Sequence, residues 1–126
     1  MKQIAILVIA LAIIILAGIW EISYLKESSN YFLSDINNLY QIAERKEYEL
    51  AKTESKNVKE NWKKIRKTWA IFIDDSKMDE IGDKLVSFVS YIENKDEVEI
   101  NHSYKCLSNS VKDIVEFECL NAENVF

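Results

Sequence analysis

The sequence predicts an all-α protein: an N-terminal transmembrane helix followed by a small antiparallel helical bundle or two helical hairpins. Three observations carry this reading. Ile4 to Trp20 runs without a charged residue before Glu21. Beyond it, apolar residues recur at steps of three and four, the period of one face of an α-helix. The chain has no Pro and only two Gly, Gly18 and Gly82, so tight β-turns and glycine phosphate loops lack their raw material. No run alternates with period two for long enough to suggest strands.

The apolar run spans roughly 25 Å as a helix, and Ile22, Tyr24 and Leu25 extend it toward the ~30 Å hydrocarbon thickness of a bilayer. A cleaved signal peptide needs small residues at the minus-three and minus-one positions. Ala10 and Ala12 lie too far inside the run, and the pairs Ile15/Ala17 and Leu16/Gly18 each put a bulky residue where a small one belongs. The segment 1–27 is therefore expected to be an uncleaved single-pass anchor in the cell membrane. Trp20 and Tyr24 stand where an interfacial aromatic belt would be. Lys2 and the amino group flank one side and Lys26 the other, a small bias that favours an inside amino terminus and an extracytoplasmic domain over 28–126.

Within that domain, Phe32, Ile36, Leu39 and Ala43 mark a helix from about Ser28 to Glu44. Ser28, Ser29 and Asn30 can cap its start, or the anchor helix can run straight through them. Tyr48, Ala51, Ser55, Val58, Trp62, Ile65, Trp69 and Phe72 then define a helix of about seven turns with one buried seam. Asp74, Asp75 and Ser76 break the pattern, and the chain is expected to reverse there. Ser76 followed by Asp79 and Glu80 begins a helix whose seam is Met78, Ile81, Leu85, Phe88 and Ile92. After the short turn at Asn94, Lys95 and Asp96, a last helix carries Ile100, Tyr104, Leu107, Val111 and Ile114, and is expected to fray from Leu120 to Phe126. Short connections between helices with one apolar stripe each make neighbours antiparallel, because no stripe can be buried by its own helix.

The net charge of −5 argues against nucleic-acid binding, which needs a basic surface. Basic residues nevertheless crowd the stretch from Arg45 to Lys67, whereas acidic ones dominate from Asp74 onward. Internal charge complementarity is the first reading, and an anionic-ligand surface at Lys52, Lys56, Lys59 and Lys63 is the second. His102 and Cys106 share a helix face four residues apart, but two ligands do not make a zinc site. Asp74, Asp75 and Asp79 lack the spacing of a calcium loop, since Gly82 comes too late. No nucleophile, base and oxyanion arrangement is present, so no catalytic, cofactor or metal residues are assigned. Cys106 and Cys119 are too few for a disulfide framework, and on one helix they stand ~20 Å apart, too far to pair.

The order of parts resembles an uncharacterised bacterial family of small anchored proteins, domain of unknown function 4363. The residues that carry the resemblance are Trp20-Glu21, Tyr24-Leu25 and Ser28-Ser29 after the anchor, then Trp62-Lys63-Lys64 and Lys67-Thr68-Trp69. They continue with Ile73-Asp74-Asp75, Met78-Asp79, Tyr91-Ile92, Lys95-Asp96, Leu120-Asn121 and Asn124-Val125-Phe126. The resemblance implies a single-pass helical protein and brings no assigned activity. The expected function is a membrane-tethered helical interaction or scaffold module with a membrane-protein partner and no catalysis. The alternative is a binder or sensor of anionic lipid or wall polymer.

Overall fold

Helix α1 runs from Lys2 to Glu44 without a break, and it is followed by α2 (Tyr48–Trp69), α3 (Asp75–Glu93) and α4 (Glu97–Val125) in a computed structural model that describes residues 1–125. The expected capping serines lie inside α1 rather than at a helix start. Ser28 Oγ donates to the Tyr24 carbonyl at 2.7 Å, and Ser29 Oγ donates to that of Lys26 at 2.9 Å. Each hydroxyl is thus satisfied on the preceding turn, and nothing forces the helix to stop. A division between residues 27 and 28 falls within this helix, and the core reaches back to Leu25, with Tyr24 packed against it.

Two of the three connections have the same design. After α1, Glu47 N donates to Ile42 O at 3.2 Å and Lys46 N to Ala43 O at 3.0 Å. After α3, Asp96 N donates to Tyr91 O and Lys95 N to Ile92 O, both at 3.1 Å. This is the Schellman pattern, which needs a left-handed residue just past the helix end. Lys46 at φ 62° and Lys95 at φ 58° fill that role where glycine is usual.

The α2–α3 connection departs from the sequence expectation. Helix α2 ends at Trp69, short of Phe72, and the chain reverses before the Asp74-Asp75-Ser76 stretch. Tight bonds from Ile71 N to Thr68 O and Phe72 N to Trp69 O wind the chain so that Ile73 enters the core while Phe72 is only partly covered. Burying Ile73 takes the place of a seventh turn. Asp74 holds the N-cap position of α3 with extended backbone, where Ser76 was expected, and Asp75 is already helical. Helix α4 starts with a capping bond from Glu99 N to Asp96 Oδ1 at 3.2 Å and continues past Leu120 to Val125. Phe126 lies outside the described residues.

The helices close a ring in which α1 packs on α2 and α4, and α3 packs on the same two, so consecutive helices are antiparallel neighbours. The seams predicted by the threes and fours are the core. Phe32, Ile36, Leu39, Trp69, Met78, Phe88 and Leu107 are all sealed from solvent. Trp62 lies between Phe32 and Trp69, its ring 5.1 Å from the first and 5.8 Å, edge-on, from the second. The α1–α4 register is set by Asn101 Nδ2 donating to the Tyr40 hydroxyl at 2.6 Å and the Tyr104 hydroxyl donating to Asn37 Oδ1 at 2.9 Å. The two tyrosine rings stack between these bonds at 4.2 Å.

The first half of α1 stands outside this core. Most of its side chains from Ile4 to Trp20 are more than half exposed, and the helix is long and apolar enough to cross a membrane.

Candidate interaction surface

The packing of α2 on α3 is the slightest of the four contacts between neighbouring helices, and a groove of about 440 Å³ lies along it. Its α2 wall follows from the helical repeat. Lys56, Lys59, Lys63 and Arg66 recur at three and four residues, so their side chains line one edge of the helix. The α3 wall carries Asp83, Leu85 and Val86, and Val86 is 59% exposed. Gly82 opens the groove: a Cβ there would stand 3.5 Å from Trp62 Nε1 and 3.9 Å from Arg66 Nη1. With hydrogen in that place, the edge of the otherwise buried Trp62 becomes part of the groove floor.

Three of the four lysines singled out from the sequence meet here. Lys52 does not. It sits one well further along with Tyr48, Glu49, Ile92, Glu93 and Lys95. Arg66 belongs to the groove instead, and the spacing from Lys63 was the available signal. Asp83 and Gly82 could not be found from α2, since they arrive by the pairing of two helices.

Charge complementarity within the chain is real but partial. Arg66 Nη2 bonds Asp79 Oδ1 across the two helices, and Lys63 Nζ lies 3.7 Å from Glu60 of its own helix. Lys56 and Lys59 form no ion pair among the described residues. The groove therefore joins an apolar floor to a rim with cationic charge to spare.

The other candidates are placed as follows. Trp62 and Trp69 are core residues, 5% and 0% exposed, and not a surface platform. The Sγ of Cys106 lies 3.6 Å from His102 Nε2 on the exposed side of α4. Among the described residues no three His, Cys, Asp or Glu side chains are grouped to hold a metal ion. Both cysteines are free thiols on α4.

A long helix with an apolar half, built into a four-helix ring grooved on one side, defines an all-α protein. Residues 19–125 match the family model described as Domain of unknown function (DUF4363), and the chain belongs to that family. The match begins at Ile19 and so takes in the point where α1 leaves its apolar segment as well as the whole bundle. No curated protein and no solved structure matches the chain.

Proposed function

We propose that this protein is a membrane-tethered interaction module, without catalysis of its own, that holds a membrane-protein partner through the α2/α3 groove. The observation that carries the reading is the continuity of α1. Its apolar half is largely uncovered among the described residues, and its other half is a wall of the core, so a bilayer around the first would fix the bundle at the membrane face. The small positive-charge bias, Lys2 and the amino group against Lys26, favours an extracytoplasmic bundle, and protease added to intact protoplasts should then digest the region after Glu21. Protection until lysis would reverse that orientation.

The groove suits a helix or loop that presents an apolar residue beside a carboxylate, to meet Trp62 and Val86 on the floor and Lys56 and Lys59 on the rim. A photo-crosslinker in place of Val86 should capture one membrane protein in native membranes, and a crosslinker in place of Leu50, exposed on α2 away from the groove, should not. Val86→Glu elsewhere in the same groove test should abolish the capture when the crosslinker is moved to Asp83. Equal capture at Leu50 would refute the assignment.

Lys56 and Lys59, which have no ion pair among the described residues, favour a second reading, in which the groove takes an anionic polymer or lipid headgroup. Salt separates the two. Binding to a polyanion weakens steeply with ionic strength, whereas an interface centred on apolar contact persists.

A further inference from the structure

The end of the bundle nearest the apolar segment differs from the rest of its surface. Ile71 in the α2–α3 connection is 78% exposed, and Phe117 and Leu120 near the end of α4 are 49% and 53% exposed. The other large exposed apolar residues of the bundle, such as Leu50, Val86 and Val98, are scattered along its flanks and far end. Single exposed apolar residues are ordinary, but three at one end of the bundle ask for an explanation.

Their level can be read from the pairing of the helices. Asn101 meets Tyr40 and Tyr104 meets Asn37, so each step along α4 is one step back along α1. Lys46 with Glu97 at the far end keeps nearly the same register. Continued toward the apolar segment, it places Phe117 beside Tyr24, Leu120 beside Glu21 and the last residue of α4, Val125, beside Leu16. Trp69 bonded to Ser28 places Ile71 near the level of Lys26. Measured along α1 from Trp20, these levels are ~1.5 Å for Leu120, ~6 Å for Phe117 and ~9 Å for Ile71. The headgroup layer on each side of a bilayer is about 5–7 Å deep.

We propose that this end of the bundle is seated in the lipid headgroup layer, with Leu120 and Phe117 inside it, Ile71 just above it and the last turn of α4 beside the end of the apolar segment. The inference rests on the reading that the apolar half of α1 crosses the membrane. Trp20 and Tyr24, stacked at 5.6 Å, mark the same layer from α1 itself. Lys77 holds Phe117 at the rim, its Nζ 3.5 Å from the ring centroid and 3.8 Å from Glu118 Oε1. Glu21, Asp74, Asp75 and Glu118 outnumber Lys26 and Lys77 around this rim, so the attraction is apolar and calls for no anionic lipid. A phosphatidylcholine surface is the partner it fits. Seating on lipid also restricts the tilt of the bundle, and so fixes the height at which the α2/α3 groove is presented.

The test uses the full chain with Cys106→Ser and Cys119→Ser, reconstituted in phosphatidylcholine vesicles carrying a spin label just below the headgroup, or at the bilayer centre for the Leu11 reference. Single cysteines at Ile71, Phe117 and Leu120, and at Leu11, Leu50 and Val98 for reference, are labelled with an environment-sensitive fluorophore. All are exposed positions, so the fold tolerates them. Leu120→Cys and Phe117→Cys should be quenched at least several-fold more than Leu50→Cys and Val98→Cys, with Ile71→Cys between the two groups. Quenching at Leu11→Cys with the rim positions no different from Val98→Cys would overturn the seating and leave the anchor intact. No quenching at Leu11→Cys would remove the anchor and this proposal together.

Discussion

The indole N–H of Trp69 donates to Ser28 Oγ at 2.8 Å, and that hydroxyl donates onward to the Tyr24 carbonyl at 2.7 Å. The last residue of α2 is thereby bonded to α1 about two turns beyond the end of the apolar segment. A serine that reads as a helix cap in the sequence is instead the acceptor for the most deeply buried tryptophan in the core.

Ser28→Ala should therefore destabilise the bundle by about 1–3 kcal/mol, because it leaves a buried indole N–H unpaired. Urea titration in detergent micelles measures it. Combining Ser28→Ala with Trp69→Phe should cost less than the sum of the two single changes, as expected for partners in one bond. Strict additivity would show that the indole has another acceptor.

Trp62→Ala should cost about 3–5 kcal/mol, the range for large aromatic residues removed from a core. The ring is 5% exposed and packs on both Phe32 and Trp69. A melting curve that does not move would contradict its place in the packing.

Lys46→Gly and Lys95→Gly should each stabilise the fold by about 0.5–1 kcal/mol, since relief of the left-handed strain outweighs the added freedom of the unfolded chain. The ion pair of Lys46 with Glu97 is more than half exposed on both sides and contributes little to the balance. Loss of stability in both variants would mean that the lysine side chains hold these turns.

Burial pushes the Glu118 carboxyl above its ordinary value of 4.5; Lys77 opposes the shift, and Glu21 and Asp74 add to it. The folded chain thus keeps this proton to higher pH than the unfolded chain. The resulting stabilisation is complete below the unfolded pKa and is lost as pH rises through the folded one. Glu118→Gln should accordingly raise the melting temperature at neutral pH and change it little below the ordinary glutamate range. An equal shift at both pH values would point to a cause other than ionisation.

A fragment from Glu21 should fold in water as a helical domain, and one from Ser28 should be less stable by about 2–5 kcal/mol, the scale of losing a large buried aliphatic side chain. Leu25 is 1% exposed, and the shorter fragment lacks it. Circular dichroism with thermal melts compares the two, and equal melting temperatures would place Leu25 outside the cooperative core.

Much of the architecture was legible because helical amphipathicity is local. The threes and fours named most of the buried face of each helix, down to Ser55 at 4% exposure, but they missed Leu25, Ile42 and Ser103 and counted Tyr48 and Tyr104, which are only partly covered. The misreadings cluster at element ends. Asp74, Asp75 and Ser76 are turn formers, yet the reversal came earlier because Ile73 had core to reach, and the preference of short polar side chains is small beside that burial. For the groove, the lysine row was visible in the sequence, while its other wall was not.

The sequence alone determined the helical class, the apolar segment and the stripe that each helix buries, since each depends on side chains within a few turns of one another. Only the tertiary structure decided that α1 is a single helix, that Gly82 uncovers Trp62, and that Phe117 and Leu120 come level with the end of the apolar segment. Those relations join residues tens of positions apart. They depend on which ridges fit which grooves and on single bonds such as Trp69 to Ser28, and no local period encodes them.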